Sequence, residues 1–173
     1  LPSELGILST IYEFNAADNL ITGTFPTDYT SLVELDTLVL AFNQFSGEIP
    51  DYFFRFKDMV YWDVGFNRFT GTIPNDIPEK MPGLQVMFGE NNRFSGTLPD
   101  NLGTLDLRSV HLDDNNFVGT IPSTFGTPPN LEQLFLHGNK FTGTIPETLS
   151  NPEKLVDVRM HYNSLEGEVA NSI

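Results

Sequence analysis

The sequence predicts a repeat solenoid, in which short parallel strands stack along one axis. Two observations support this prediction. A motif of the form Asn-x-apolar-x-Gly-x-apolar-Pro recurs every 23 to 25 residues along the 173-residue chain. Apolar residues also keep fixed positions before and after each motif. One copy is too small to bury its own apolar face, so a core can form only between neighbouring copies.

The asparagine that opens the motif occurs seven times, at spacings of 24, 24, 25, 23, 24 and 24 residues. The last copy has Ala170 where the others have proline. We predict that this asparagine turns the chain after a strand and that its amide bonds to backbone groups which the turn leaves unpaired. Stacked copies would align a structural ladder of amides from Asn19, Asn43, Asn67, Asn92, Asn115, Asn139 and Asn163.

The residues before each asparagine predict a short strand. Apolar residues fall eight, five and three positions earlier, as Leu35, Leu38 and Leu40 do before Asn43. Positions five and three would point inward, because side chains alternate along a strand. A phenylalanine two positions after the asparagine is predicted to fill the interior as an aromatic spine of Phe45, Phe69, Phe94, Phe117 and Phe141.

The glycine and proline of the motif shape the segment that connects successive strands. Glycine permits a bend or a close approach of backbones, and proline ends any continuing strand. The single insertion follows Pro74 and the single deletion follows Pro99, so both fall in this connecting segment. An apolar residue three positions after each proline is expected to return to the core; these residues are Tyr29, Phe53, Ile77, Leu102, Phe125 and Leu149.

The motif resembles the plant-specific class of leucine-rich repeats, LxxLxxLxLxxNxLxGxIPxxLGxL, over essentially the whole chain. The resemblance implies an α/β horseshoe solenoid: a right-handed superhelix with a concave parallel β-sheet, short outer strands, 3₁₀ turns and little true α-helix. Residues 1–173 would form a single array of about seven 24-residue repeats. Members normally carry cysteine-bearing caps and this chain has no cysteine, so we expect an uncapped fragment of a longer array.

Composition narrows the classes of partner. The chain has 23 acidic against 9 basic residues and a net charge of −14, which favours a basic or neutral partner and argues against nucleic acid. No stretch approaches the roughly 18 apolar residues of a membrane span, so we expect no membrane insertion by this segment. The sequence also lacks a nucleophile elbow, a phosphate loop and an HExxH motif, which predicts a protein that is not an enzyme and uses no cofactor.

The predicted ligand-binding site is the concave face of the sheet. Residues six, four and two positions before each asparagine would point outward there, and these positions vary while the core positions do not. Exposed Tyr61, Phe88 and Phe135 would be costly to leave bare. The candidate residues are Tyr61, Asp63, Phe88, Glu90, His111, Asp113, Phe135, His137, Arg159 and His161.

All three histidines of the chain lie on this predicted face, beside acidic residues. One hypothesis is that the carboxylates raise the pKa of the imidazoles and make binding dependent on pH. A His/Asp metal site is also geometrically possible, because adjacent strands bring side chains within chelating reach. A flat strand surface rarely encloses a cation, however, so the sequence predicts no metal site.

The resemblance implies a non-catalytic module, extracellular or at the cell surface, that presents its concave face to a peptide, protein or glycan. Such modules occur in receptor-like kinases, receptor-like proteins and polygalacturonase-inhibiting proteins. A structural cell-surface or coat array is the main alternative. A minor alternative is ice binding through a threonine ladder, since Thr-Gly-Thr recurs at 22–24, 70–72 and 142–144.

Overall fold

The computed structural model describes residues 1, 3–26, 29–51 and 53–168; Ala170 lies outside them. Numbered along the chain, the inner strands are β1 (Glu13–Asn15), β3 (Thr37–Val39), β5 (Tyr61–Asp63), β7 (Val86–Phe88), β9 (Ser109–His111), β11 (Gln133–Phe135) and β13 (Asp157–Arg159). The outer strands are β2 (Thr22–Gly23), β4 (Gln44–Glu48), β6 (Arg68–Thr70), β8 (Ser95–Gly96), β10 (Asn116–Thr120), β12 (Lys140–Thr144) and β14 (Ser164–Glu166). Short 3₁₀ helices span Ser3–Ile7, Tyr29–Ser31, Phe53–Arg55, Leu102–Thr104, Ser123–Gly126 and Glu147–Ser150, and one α-helical turn, α1, spans Ile77–Lys80.

The inner strands form a seven-stranded parallel sheet in chain order, β1-β3-β5-β7-β9-β11-β13. Each strand pairs with the equivalent strand one repeat away, so Leu38 lies opposite Trp62 and Trp62 opposite Met87. All three side chains are buried, whereas their neighbours Thr37 and Val39 are half-buried on the other face. The predicted solenoid fold, with inward residues five and three positions before the asparagine, is confirmed.

The outer strands form two smaller parallel sheets, β14-β12-β10-β8 and β2-β4-β6. Between an outer strand and the next inner strand the chain makes a 3₁₀ turn in most repeats. The insertion after Pro74 produces α1 instead, where the Met81 N–H donates to the Ile77 carbonyl at 2.7 Å. One extra residue lengthens the turn enough for this i to i+4 bond. Within the described residues, no helix is long and apolar enough to cross a membrane.

The core contains the predicted aromatic spine. Successive rings from Phe45 to Phe141 lie 5.8 to 6.3 Å apart between centroids, and their planes differ by only 8° to 18°. All of these rings are fully buried. Offset stacking of this kind adds to the apolar area that each ring removes from water, so every repeat is stabilised chiefly by the next one.

The motif glycines bring the outer strands close together. Gly96 has a φ of +79°, and a Cβ placed on it would lie 2.8 Å from the Thr72 methyl of the preceding repeat. A side chain here would therefore face both backbone strain and a steric clash.

The motif asparagines bond between repeats as well as within them. Asn115 donates through Nδ2 to the carbonyl of Gly89 in the preceding repeat at 2.9 Å and to its own Asp113 carbonyl at 3.0 Å. Its Oδ1 accepts the Phe94 N–H at 2.9 Å. Asn43, Asn67, Asn92, Asn139 and Asn163 make the same set of contacts. The asparagine side chain thus satisfies backbone groups that turns would otherwise leave buried and unpaired.

We expect Asn115→Ala to lower the free energy of unfolding by about 2–4 kcal/mol, because it leaves buried backbone groups of two repeats without partners. Urea denaturation followed by circular dichroism measures the change. The matched control is Asn19→Ala, since the exposed Asn19 amide donates to the Ala16 and Ala17 carbonyls of its own turn. Equal losses for the two variants would contradict a stabilising role for the inter-repeat bonds.

Candidate ligand-binding face

The sheet register places the predicted site residues in rows that run across the strands. Residues four positions before the asparagines lie side by side, so Asp63 pairs with Phe88 and Phe88 pairs with His111. The same row continues through Phe135 to Arg159. Adjacent residues in a row are roughly 4.8 Å apart at the backbone, which is close enough for their side chains to touch.

Four of these side chains form a continuous stack, which we call the stacked row: Phe88, His111, Phe135 and Arg159. The His111 ring lies parallel to both Phe88 and Phe135, at centroid distances of 4.3 and 4.1 Å. The Arg159 Cζ lies 4.2 Å above the other face of Phe135. Tyr61 meets Phe88 edge-on at 5.8 Å and extends the aromatic surface by one strand.

The stacking changes one expectation about exposed aromatic residues. Phe135 is only 9% exposed, because His111 and Arg159 cover its two faces. Tyr61 and Phe88 are half-buried. The prediction of three bare aromatic rings is therefore wrong for Phe135. The aromatic surface that stays accessible in this row is therefore mainly that of the half-buried Tyr61–Phe88 pair, which we call its open side.

Arg159 is already occupied by contacts within the chain. Its Nη2 donates to Asp157 Oδ2 at 2.7 Å, and its Nε donates to Asp157 Oδ1 at 3.2 Å. This two-point bond to Arg159 lowers the pKa of Asp157. The guanidinium is thus held between one carboxylate and one aromatic ring.

A second row lies two positions before the asparagines and comprises Glu90, Asp113, His137 and His161; we call it the acid–histidine row. The His137 Nε2 lies 3.4 Å from Asp113 Oδ2, and the His137 ring stacks on His161 at 4.4 Å. Acidic groups therefore occupy one end of this row and imidazoles the other. In the repeat before Glu90, this position of the row is held by Gly65.

Asp63, Glu90 and Asp113 form what we call the carboxylate cluster. Asp63 Oδ1 accepts the Gly65 N–H at 3.0 Å. A Cβ on Gly65 would lie 2.8 Å from Glu90 Oε1, so the Glu90 carboxylate occupies the space that this glycine leaves open. Two carboxylates thus converge on Gly65, and the charge of Asp113 in the next repeat also acts on Glu90.

The charges of the cluster are poorly compensated. Burial raises the pKa of all three groups, and it raises the pKa of Glu90 to about 7. The charges of Asp63 and Asp113 add to the shift at Glu90. The ion pairs found among the described residues are Lys80–Asp76, Arg159–Asp157 and the His137–Asp113 contact, so no lysine or arginine there pairs with the cluster.

His111 differs from the sequence-based hypothesis. Burial lowers the pKa of His111, so the expectation that nearby carboxylates raise it is wrong for this residue. The Ser109 hydroxyl lies 3.3 Å from His111 Nε2, and the ring is enclosed between Phe88 and Phe135. Loss of water around the ring outweighs the attraction of the more distant acids.

Three of the charged residues could reach a common cation. Asp113, Asp114 and His137 offer ligand atoms that all lie within 4.8 Å of one another. Asp114 is exposed to solvent, so the group does not enclose a cation as a closed structural metal site does.

Sequence reasoning missed an aromatic pair beside the face. Phe42 and Phe66 stand one position before the asparagine, where the backbone has a positive φ of 56° and 52°. Their rings stack at 4.2 Å, and both remain substantially exposed. A signal was present, because Asp18 and Asn91 occupy the same position in other repeats and both residue types tolerate a left-handed backbone.

The chain matches known repeat proteins by family and by fold. A family model described as Leucine rich repeat matches residues 106–165, and a second, Leucine Rich Repeat, matches residues 34–56. The plant peptide hormone receptor RGFR1, solved in complex with RGF2, matches with a TM-score of 0.93 and 30% identity over 98% of this chain and 27% of that chain. The Arabidopsis receptor kinase HAESA, in complex with the peptide hormone IDA and the co-receptor SERK1, matches with a TM-score of 0.92 and 27% identity over 98% and 28%.

A shorter protein, Pollen Receptor Kinase 3, matches with a TM-score of 0.81 and 30% identity over 95% of this chain and 79% of that chain. The chain thus spans less than a third of the longer receptors and most of the shorter one. Its stacked parallel strands and short connecting turns define a parallel-stranded repeat solenoid. The chain belongs to the leucine-rich-repeat family, in its plant-type class. This confirms the resemblance predicted from the motif.

We expect the Glu90 side chain to titrate with a midpoint of about 7. This pKa is raised from its ordinary value of 4.5. Between pH 4.5 and about 7, the native Glu90 therefore keeps a proton that the same carboxyl has lost in the unfolded chain. Stability should therefore fall as pH rises from about 4.5 to about 7 and then level off, and Glu90→Gln should flatten this part of the profile. Carboxyl-carbon NMR and urea denaturation measure the two effects.

The exposed Glu166 offers a matched control, since Glu166→Gln should leave the pH profile of stability unchanged. A Glu90 midpoint near 4.5 would show that water reaches the carboxylate and that the cluster is not desolvated.

Proposed function

We propose that this segment is the ligand-binding part of an extracellular or cell-surface protein and that its concave face binds a peptide or protein. The observation that carries the proposal is the stacked row, in which aromatic and charged side chains from four neighbouring strands form one fixed surface. Rigid aromatic groups of this kind give contact area at low entropic cost.

Similarity to receptors of known ligand class supports the proposal. RGFR1 and HAESA were solved with peptide hormones, and this chain aligns with parts of each over 98% of its length. The proposed contact residues are those of the predicted site, in which Tyr61 and Phe88 are more accessible than the covered Phe135. A basic or neutral ligand suits the net charge of −14. A glycan would satisfy the same surface through ring stacking and hydroxyl bonds.

The threonine column of the outer sheets supports a second candidate, ice binding. Thr72, Thr97 and Thr120 each place their methyl against the glycine of the next repeat, so they stand in one row. Glu48 takes the equivalent place in one repeat and interrupts the row. A plant ice-binding protein matches with a TM-score of 0.60 but only 19% identity, over 97% of this chain and 69% of that chain, which shows a shared fold alone.

We expect the chain to enrich specific peptides from a displayed random library, and Phe88→Ala to weaken their binding about tenfold or more, as loss of a central aromatic contact does. Biolayer interferometry with the enriched peptides measures the loss. Val118→Ala is the matched control, because Val118 is an exposed apolar residue of the outer sheet. Enrichment of no peptide would favour the structural-array alternative, and equal binding by both variants would contradict a contact at Phe88.

We expect no thermal hysteresis from the purified chain, because Glu48 interrupts the threonine row and the outer strands are split into two sheets. Nanolitre osmometry measures the freezing-point difference. Hysteresis that disappears in Thr97→Lys would instead establish ice binding and place the ligand on the outer sheets.

A further inference from the structure

The geometry points to an arginine side chain as the group that the concave face binds, with its guanidinium between the open side of the Tyr61–Phe88 pair and the carboxylate cluster. This inference rests on the proposed function, since it names the ligand chemistry of the same face. It goes further in assigning one type of ligand residue to one position on the sheet.

Unpaired acceptors are the first reason. The Asp113 side chain is 9% exposed, and its Oδ1 has no hydrogen-bond partner among the described residues. Oδ2 of the same carboxylate is the oxygen that faces His137. Glu90 Oε2 is likewise buried without a partner in the described part of the chain. Buried acceptors of this kind cost free energy until a donor reaches them.

The shape of the donor that fits is the second reason. Asp63 and Glu90 converge on Gly65, and Asp113 holds the position of Glu90 in the next repeat, so three successive repeats each contribute a carboxylate to this part of the face. A guanidinium presents five N–H donors in one plane, whereas an ammonium is a compact point charge. Two-point bonds to neighbouring carboxylates therefore favour arginine over lysine.

The chain itself provides a third reason, because it builds the same arrangement at the other end of the stacked row. Arg159 lies 4.2 Å above the Phe135 ring and makes a two-point bond to Asp157. At the opposite end of the row, Asp63 pairs with Phe88 across the strands, but no arginine of the described chain stands there. A ligand arginine would complete, at this end of the row, the aromatic–guanidinium–carboxylate arrangement that Arg159 completes at the other end.

The charges that surround Glu90 set the pH dependence of this site. Tyr61 and Asp63 face it from one side, and Asp113, backed by His137, faces it from the other. His111 lies in the adjacent stacked row. A guanidinium binds the ionised carboxylate, so binding should strengthen as pH rises through about 7 and should release about half a proton at pH 7.

The test uses N-acetyl-arginine amide as the probe and N-acetyl-citrulline amide as its neutral isostere. Carboxyl-carbon NMR of the labelled chain follows Glu90 during titration at pH 6, 7 and 8. We expect the arginine probe to bind about tenfold more tightly at pH 8 than at pH 6 and to lower the Glu90 midpoint. The citrulline probe should leave the Glu90 resonance unchanged.

Two variants and one control locate the site. Glu90→Gln should remove the pH dependence and weaken probe binding about tenfold. Gly65→Ala keeps the charge but places a Cβ against the Glu90 carboxylate, so it should also weaken binding. Asp157→Asn is the matched control, because that carboxylate lies on the same face and is already paired with Arg159, and it should leave probe affinity unchanged. Thermal melting verifies that each variant is folded.

The outcomes separate this inference from the proposed function. Peptides captured through Phe88 without any effect of the arginine probe on Glu90 would overturn the arginine site and leave the ligand-binding face standing. Binding of the probe without peptide capture would support the site and not the wider function. Equal binding of the arginine and citrulline probes would also overturn the inference.

A divalent cation is the competing occupant of these acids, through Asp113, Asp114 and His137. Zinc chloride is therefore titrated in place of the probe. Micromolar zinc binding that Asp114→Asn and His137→Gln abolish, combined with no response to the arginine probe, would overturn the inference in favour of a metal site.

Discussion

The hydrogen bonds of the motif asparagines hold the repeats at one fixed spacing, and the arrangement of side chains on the concave face depends on that spacing. Each buried asparagine, such as Asn115, bonds to its own turn and to backbone groups one repeat earlier. Without this amide, the buried backbone N–H and carbonyl groups of the two repeats would have no hydrogen-bond partner, because water does not reach them. The stacked phenylalanines fill the space that these bonds define, so hydrogen bonding and packing enforce the same register.

That register converts a position in the repeat into a row on the surface. Residues 24 positions apart in sequence become neighbours at strand spacing, so like chemistry in successive repeats accumulates in one place. The stacked row and the acid–histidine row both arise in this way. The two ends of the stacked row differ in one respect. Arg159 neutralises Asp157 at one end, whereas Asp63 and Glu90 at the other end lack such a partner among the described residues.

The sequence predicted which residues line the face but not what their surroundings do to them. Phe135 is an outward residue by position, yet two neighbours cover it. Asp113 and Asp114 follow His111 closely in the sequence. Its enclosure between two rings nevertheless lowers its pKa. Such effects depend on side-chain directions across three strands, which the repeat period does not specify. The Phe42–Phe66 pair shows the same limit, since its exposure follows from a left-handed backbone at an aromatic residue.

By itself, the sequence determined the fold, the order of the strands, the buried spine and the membership of each row. It could do so because these features repeat with one period and each copy repeats the same local signals. The tertiary structure decided which charges are paired, which rings are covered and which carboxylates lose their water. Those outcomes depend on the side chains that differ between repeats, and their free energies are set by distances and burial that only the folded stack creates.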